Sequence, residues 1–491
     1  MTPHPRLLHR RFVVQGMAAA LAGTSLHVSS FAAASAPAGA PESLEQQLAM
    51  FALAMRYEQM PVEVIDAIKR VVLDTLACAL AAVGSDAAAI ALKTVDTAFG
   101  GARNATVIGD KRATSVDAAT FVNGVLVRSL DLNDTYLGTE PLHPSELMPT
   151  ALALCESLGR NGRDFITALA IGYEASARIT DVVSFMRRGF HPLCAMAYAA
   201  PLIAGRLWGL GPKELANAVG LSAARGFTSF VVNSGAISMM KAMGFSAGAV
   251  DALLVTRLAA NGFTGPSGTL EWFAARANPA QTGATVDLDL GSYRLPKVAF
   301  KRFPIQIELA AVAEAGSKLS ASVRSRGVAI RAIRVETYPG IIERVADADK
   351  FRPQTRGTAD HSLPVCLAMA LLDGDVTLAQ FEQDRWRKPD VMDLVRKTTV
   401  TPAAALLAKM PGGRGASVDV EFEDGSTLSE TVEVPEGDAK RPMSAASLEA
   451  KFMNAAKPVL GPKRSAEVMA LVSRLETLTD MGQLARALRP A

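Results

Sequence analysis

The sequence predicts a mainly α protein in two parts, a large all-helical domain over residues 41–273 and a smaller α+β domain over 274–440. C-terminal helices over 441–491 are expected to rejoin the first. Three observations carry this. From about residue 42, apolar residues recur at three- and four-residue steps, as in a helix that buries one stripe. After Pro266 the period changes to two, as in Ile333, Val335 and Thr337, which marks strands. After Pro442 the helical period returns through Leu448, Phe452, Val468, Leu471 and Leu475.

Residues 1–40 stand apart. His9-Arg10-Arg11-Phe12, the weakly apolar Met17 to Gly23 and the small-residue tract from Phe31 to Ala38 resemble a twin-arginine export signal with an Ala-x-Ala type cleavage site, although Phe12 follows the arginine pair with no intervening residue. A periplasmic location is therefore expected, with the cytoplasm as the alternative. Arg6, Arg10 and Arg11 account for the whole net charge of +3, so no nucleic acid or other polyanion is implied.

The helices follow. Ile65, Ile68, Val72, Leu76 and Leu80 form one stripe between Pro61, where a first turn would begin, and Gly84, where it would stop. Asp164 opens a helix over Phe165 to Ile179, Gly211-Pro212 opens Lys213 to Leu221, and Ser246 to Ala260 ends at Asn261-Gly262. The uncharged stretch Gly189 to Gly205 contains Pro192 and Pro201 and reads as a core helix, so no membrane is expected as a partner of the mature protein. In the second part, Val418, Val420 and Phe422 alternate before Asp424-Gly425, with Leu428, Val432 and Val434 in phase on the return, which is a hairpin. Ser362 to Leu372 and Pro389 to Lys397 look helical.

Outside the leader there are three histidines, His143, His191 and His361, each one to three residues before a proline that opens an apolar run. Proline suits a first helical turn, so each imidazole should sit at a helix N-terminus, where the dipole disfavours imidazolium and free N–H groups attract anions. Neutral imidazoles in that setting suit proton transfer on a carboxylated substrate, although any one of them could merely decorate a helix cap.

Three further groups have chemical character. Asp131 and Asp134 precede His143 closely and, three apart, could share a face, where repulsion would raise one pKa; a capping or turn cluster is the ordinary alternative. Arg187-Arg188 beside His191 forms a natural carboxylate clamp, or else a solvated turn. Lys241 is the only charged residue from Gly226 to Val250, and a buried ammonium should meet a carboxylate of the protein or of a ligand. No CxxC, HxH or HxxxH spacing supports a metal site, and Cys78, Cys155, Cys194 and Cys366 read as buried free thiols.

Read together, several segments resemble the MmgE/PrpD family of dehydratases, decarboxylases and epimerases of small carboxylic acids. They are Leu73 to Cys78, Asp131 to Ser145, Gly189 to Pro192, Lys241, Gly262 to Pro266, Lys301-Arg302-Phe303-Pro304, and Thr358 to Pro364 followed by Leu372-Asp373-Gly374. The likeness runs from about residue 42 to the end. It implies that the α+β domain is a lid over a site shared with the helical domain, and it implies a homodimer without metal or organic cofactor. The family's active-site positions fall on Asp131, Thr135, His143, His191, Lys241 and Lys301.

Phe351-Arg352-Pro353 through Pro364 looks most like the dehydratase branch, and Asp347 stands where the decarboxylase branch has a lid tyrosine. The chain departs from the dehydratase branch at Gln306, Glu308, Ala310 and Ala311, where that branch has a Glu, a His and a Gln-Thr pair. Relative to the decarboxylase pattern, two extra residues separate Thr135 from His143.

The expected activity is cofactor-independent elimination from a small hydroxy di- or tricarboxylic acid, most of all a 2-methylcitrate-like one. His143, His191 and Asp131 would move protons, and Lys241, Lys301, Thr135, Asp134, Arg188 and His361 would bind substrate. Epimerisation or decarboxylation on the same fold, and an exported carboxylate-binding protein without turnover, are the rivals.

Overall fold

The computed structural model describes residues 42–277, 287–408 and 414–490; the expected leader lies outside them. The protein is mainly α, with a large helical domain and a smaller α+β domain. Helix Val62–Ala81 buries Ile68, Val72, Leu76 and Leu80 of the expected stripe, with Pro61 as N-cap; at its first turn Val64 is buried and the expected Ile65 only half-buried. Helix Gly162–Val182 starts two residues before Asp164. Asn161 accepts the Asp164 N–H at 2.9 Å and donates its own to the Asp164 carboxylate at 3.4 Å, a reciprocal cap. Met196–Trp208, from the uncharged stretch, is buried along nearly its whole length. The run Met240–Ala260 is long and apolar enough to cross a membrane, but Gly244, at φ +48°, breaks it into two helices.

The helical domain also contains short strands that the sequence reading does not separate from loops. Thr135–Leu137 pairs antiparallel with Pro141–Leu142 on one side and with Val298–Ala299 on the other. Strands of two or three residues are too short to show a period. Their effect on the site is large, because the Thr135–Ala299 pairing sets Lys301 beside the Asp131 turn.

The α+β domain is built on a four-stranded sheet. Its central strand Ile330–Thr337 runs parallel to Thr398–Pro402 and antiparallel to Ala416–Phe422, which continues through the Asp424–Gly425 turn into Thr427–Val432. Ala310–Arg326 and Leu363–Asp373 pack on each other, and the former also covers the hairpin.

Two hydrophobic cores divide the chain near residues 300–303. The first includes Leu295, Val298 and Phe300, and it takes in Met443 through Leu488; the second runs from Phe303 to Val432. The segment 287–300 therefore packs with the helices, whereas the boundary expected at 274 had assigned it to the second domain. Helix Ala445–Ser473, kinked at Gly461 between two prolines, lies along Val62–Ala81. From it Lys451 reaches the Asp74 carboxylate at 2.6 Å and the carbonyls of Leu132 and Lys301 at 3.0 and 2.9 Å, tying the C-terminal helix to the joint between the cores.

Candidate active site

Helix Val116–Arg128 ends in a turn that places Asp131 at φ +51°, a left-handed conformation that aspartate tolerates better than most residues. One buried carboxylate oxygen, Asp131 Oδ1, meets three cations: Arg128 Nη1, Lys241 Nζ at 3.0 Å and Lys301 Nζ at 3.2 Å. Lys301 also donates to the Asp131 carbonyl at 2.8 Å. Gly244 ends the short Lys241 helix, and a Cβ there would lie 2.1 Å from Glu146 Oε2 and 2.9 Å from Arg128 Cγ, so only glycine lets this turn approach.

Burial pushes the Asp131 carboxyl up, but Lys241, Lys301 and Arg128 together pull it well below the usual range. Asp131 is therefore a fixed anion, not the proton donor the sequence reading allowed. The cations in turn are destabilised by burial. Lys241 is shifted down, and Lys301 falls to about 8 against the pull of Asp131. Glu146 is raised to about 7 by burial, opposed by Arg128 at 3.3 Å, so at neutrality it balances the cluster only in part. Asp360 also acts on Arg128 and Lys241, so the cluster is close to balanced, with a small positive excess that suits an anionic ligand.

The three histidines lie where the sequence placed them, at helix entries. His143 caps the short Pro144–Leu147 turn before helix Met148–Ser157, His191 caps Pro192–Ala195 before Met196–Trp208, and His361 directly precedes the cap Ser362 of Leu363–Asp373. All three pKa values are lowered, with burial the largest cause and Arg128 or Lys241 next.

Their tautomers follow from their partners. His143 Nδ1 donates to the Asp134 carbonyl at 2.7 Å, which leaves Nε2 as an unprotonated acceptor. His191 Nδ1 accepts the Leu193 N–H at 3.2 Å, so its proton is on Nε2. That nitrogen lies 2.8 Å from the Asn233 amide, whose otherwise unpartnered Oδ1 is the natural acceptor once amide O and N exchange places. His361 Nδ1 donates to Asp360 at 2.5 Å, and its Nε2 lies 3.8 Å from Asp131 Oδ2.

Asp131, His143, His191, Lys301 and His361 line one cleft of about 50 Å³, with Arg128, Asn233, Glu308 and Arg344 completing its polar wall. Three expected ligand contacts sit behind that wall. Asp134 takes Tyr173 Oη at 2.8 Å and the Ser145 N–H at 3.2 Å, and burial raises it to about 6, with Asp74 rather than Asp131 the repelling carboxylate. Thr135 Oγ1 lies 3.2 Å from His143 Nδ1, and Lys241 is spent on Asp131.

Arg188 does not belong to the site. It follows Met186, which does line the cleft, but it is exposed and not among the lining residues, in a turn that ends at left-handed Gly189. Arg188→Ala is accordingly expected to leave both KM and the thermal midpoint unchanged, as steady-state kinetics and calorimetry would register.

The sequence reading passed over Arg128, although it is the only charged residue between Asp117 and Asp131, the same signal that singled out Lys241. Asn233 and Arg344 carry no comparable mark. Among the described residues, no group of three or more His, Cys, Asp or Glu is arranged to hold a metal ion.

A helical domain and an α+β domain meet at buried histidines and at two lysines that share one aspartate, a two-domain arrangement that the family comparison also finds. The chain matches the MmgE/PrpD N-terminal domain over residues 46–277 and the MmgE/PrpD C-terminal domain over 303–477, and it belongs to that family. It is 27% identical to a cis-aconitate decarboxylase of Aspergillus terreus over 92% of this chain and 96% of the relative. It is 26% identical to a human cis-aconitate decarboxylase over 76% and 79%, and 26% identical to a 2-methylcitrate dehydratase of Salmonella typhimurium over 79% and 84%. These relatives are lyases. Their near-equal identities do not favour the dehydratase branch over the decarboxylase branch.

Proposed function

We propose that the protein is a lyase that eliminates water from a small hydroxy di- or tricarboxylic acid, with a 2-methylcitrate-like acid as the leading substrate. The observation that carries this reading is that His143, its Nδ1 committed to the Asp134 carbonyl so that Nε2 is left as the basic nitrogen, lines the same cleft as Lys301 and Arg128. His143 takes the proton from the carbon next to a carboxylate, and the C–H electron pair becomes the new double bond as the C–O bond breaks. Arg128 and Lys301 stabilise the enolate-like charge that develops on that carboxylate. Lys301, poised near neutrality, protonates the departing hydroxyl so that it leaves as water, and solvent resets both groups.

A panel of hydroxy acids, incubated with chelator present in deuterated water and followed by ultraviolet absorption and NMR, tests the proposal. A new alkene supports it. An inverted, labelled substrate would make the protein an epimerase, and calorimetric binding without any turnover would make it a binding protein.

The breadth of the match to decarboxylases supports a second reading, in which the same cations hold the charge left by departing carbon dioxide. Against it, Asp347 at the lid-tyrosine position is engaged by Lys350 at 3.1 Å. Release of carbon dioxide distinguishes it from dehydration. Export through residues 1–40 and assembly as a homodimer belong to the first reading, tested by cell fractionation and light scattering.

The pH dependence follows from Lys301. Its protonated form is the active one, so kcat/KM is expected to fall as pH rises through about 8. Lys301→Arg keeps the charge but not a usable proton, and should lower kcat and abolish that alkaline limb.

A further inference from the structure

Two of the four positions where the Lys301 segment departs from the dehydratase branch, Gln306 and Glu308, line the cleft together. Gln306 holds Glu308 at both ends: its Oε1 accepts the Glu308 N–H at 2.7 Å and its Nε2 donates to Glu308 Oε2 at 2.7 Å. Tyr338 Oη donates to the other carboxylate oxygen at 2.8 Å. Arg344, from helix Pro339–Val345, approaches the same carboxylate through Nη2 at 2.5 Å.

Glu308 therefore keeps two neutral donors whether or not Arg344 is present. Arg344, by contrast, is under-used. Among the described residues its guanidinium bonds only to Glu308, and its buried Nε has no partner. A planar fork not fully used by its one carboxylate partner, in the wall of a cleft that Lys301 and Arg128 also line, is suited to a second, bidentate acceptor.

We propose that Arg344 is the specificity-determining residue of this cleft, binding a carboxylate remote from the reacting carbon so that tricarboxylates are favoured over dicarboxylates. One carboxylate goes to Arg128 and Lys301, where charge develops, and the remote one goes to the guanidinium of Arg344 in the wall of the same cleft. Glu308, anchored by Gln306 and Tyr338, fixes the guanidinium plane. The inference rests on the proposed carboxylic-acid chemistry of the same site.

Calorimetric titration of the full chain with tricarballylate and with methylsuccinate, which lacks one terminal carboxylate, tests it. Arg344→Gln is expected to weaken tricarballylate binding by about 10- to 100-fold while leaving methylsuccinate affinity in place, because one charge-assisted contact is lost and only tricarballylate makes it. Arg344→Lys, which keeps charge but not the fork, should fall between wild type and Arg344→Gln, and it serves as the informative variant if the glutamine protein does not fold. Equal weakening of both acids, unchanged tricarballylate affinity in the variants, or failure of the wild type to bind either acid would each overturn the proposal. Selective loss of tricarballylate binding without turnover on any acid would sink the lyase reading and leave Arg344 in its role; turnover of tricarboxylates indifferent to Arg344 would do the reverse.

Discussion

His143→Ala is expected to lower kcat by about 10²- to 10⁴-fold, the usual contribution of a positioned general base. In His143, Nδ1 is committed to the Asp134 carbonyl, with Thr135 beside it, and Nε2 is available as a base. His191 has the opposite tautomer, and His361, whose Nε2 is likewise unprotonated, has that nitrogen 3.8 Å from the anionic Asp131. Because His143 is already neutral in the folded protein, its removal withdraws no charge from the cluster. Near-ultraviolet circular dichroism and the thermal midpoint should therefore stay close to wild type while turnover collapses. A variant that retains more than a tenth of the wild-type kcat would transfer the role of base elsewhere.

Asp131→Asn should have the largest effect on stability. It leaves Arg128, Lys241 and Lys301 buried around a neutral amide, and breaking a buried pair by removing one partner typically costs about 3–5 kcal/mol. Asparagine tolerates the left-handed conformation found at this position, so the loss isolates the charge from backbone strain. Denaturant unfolding measures it. Added citrate should restore part of the lost stability, because a bound polyanion supplies the missing negative charge to the folded state alone. If citrate restores nothing, the cations do not face the ligand cleft.

The parts of this site that were legible in the sequence were those whose signal is local. A proline after a histidine marks a helix entry within a few residues, and a lone lysine in an apolar run declares a buried partner without naming it. The identity of that partner was not legible. Asp131 and Asp134 were expected to repel each other, yet Asp131 is dominated by Lys241 and Lys301, which reach it through a turn at Gly244 and a strand pairing at Ala299. The parallel strand Thr398–Pro402 escaped for a related reason: its largely exposed residues lack the two-residue alternation that revealed Ile330–Thr337. Arg188 illustrates the converse error, since proximity in sequence to His191 says nothing about direction across a left-handed glycine.

Lys301 stands between Phe300, the last residue of one core before the joint, and Phe303, the first of the other, and Lys451 from the far end of the chain grips its carbonyl. The reactive constellation is therefore completed only when amino-terminal, middle and carboxy-terminal portions have all docked. A molecule caught half-assembled, or clipped at the joint, is chemically silent instead of misdirected, and enzymatic competence itself becomes a readout of finished tertiary structure.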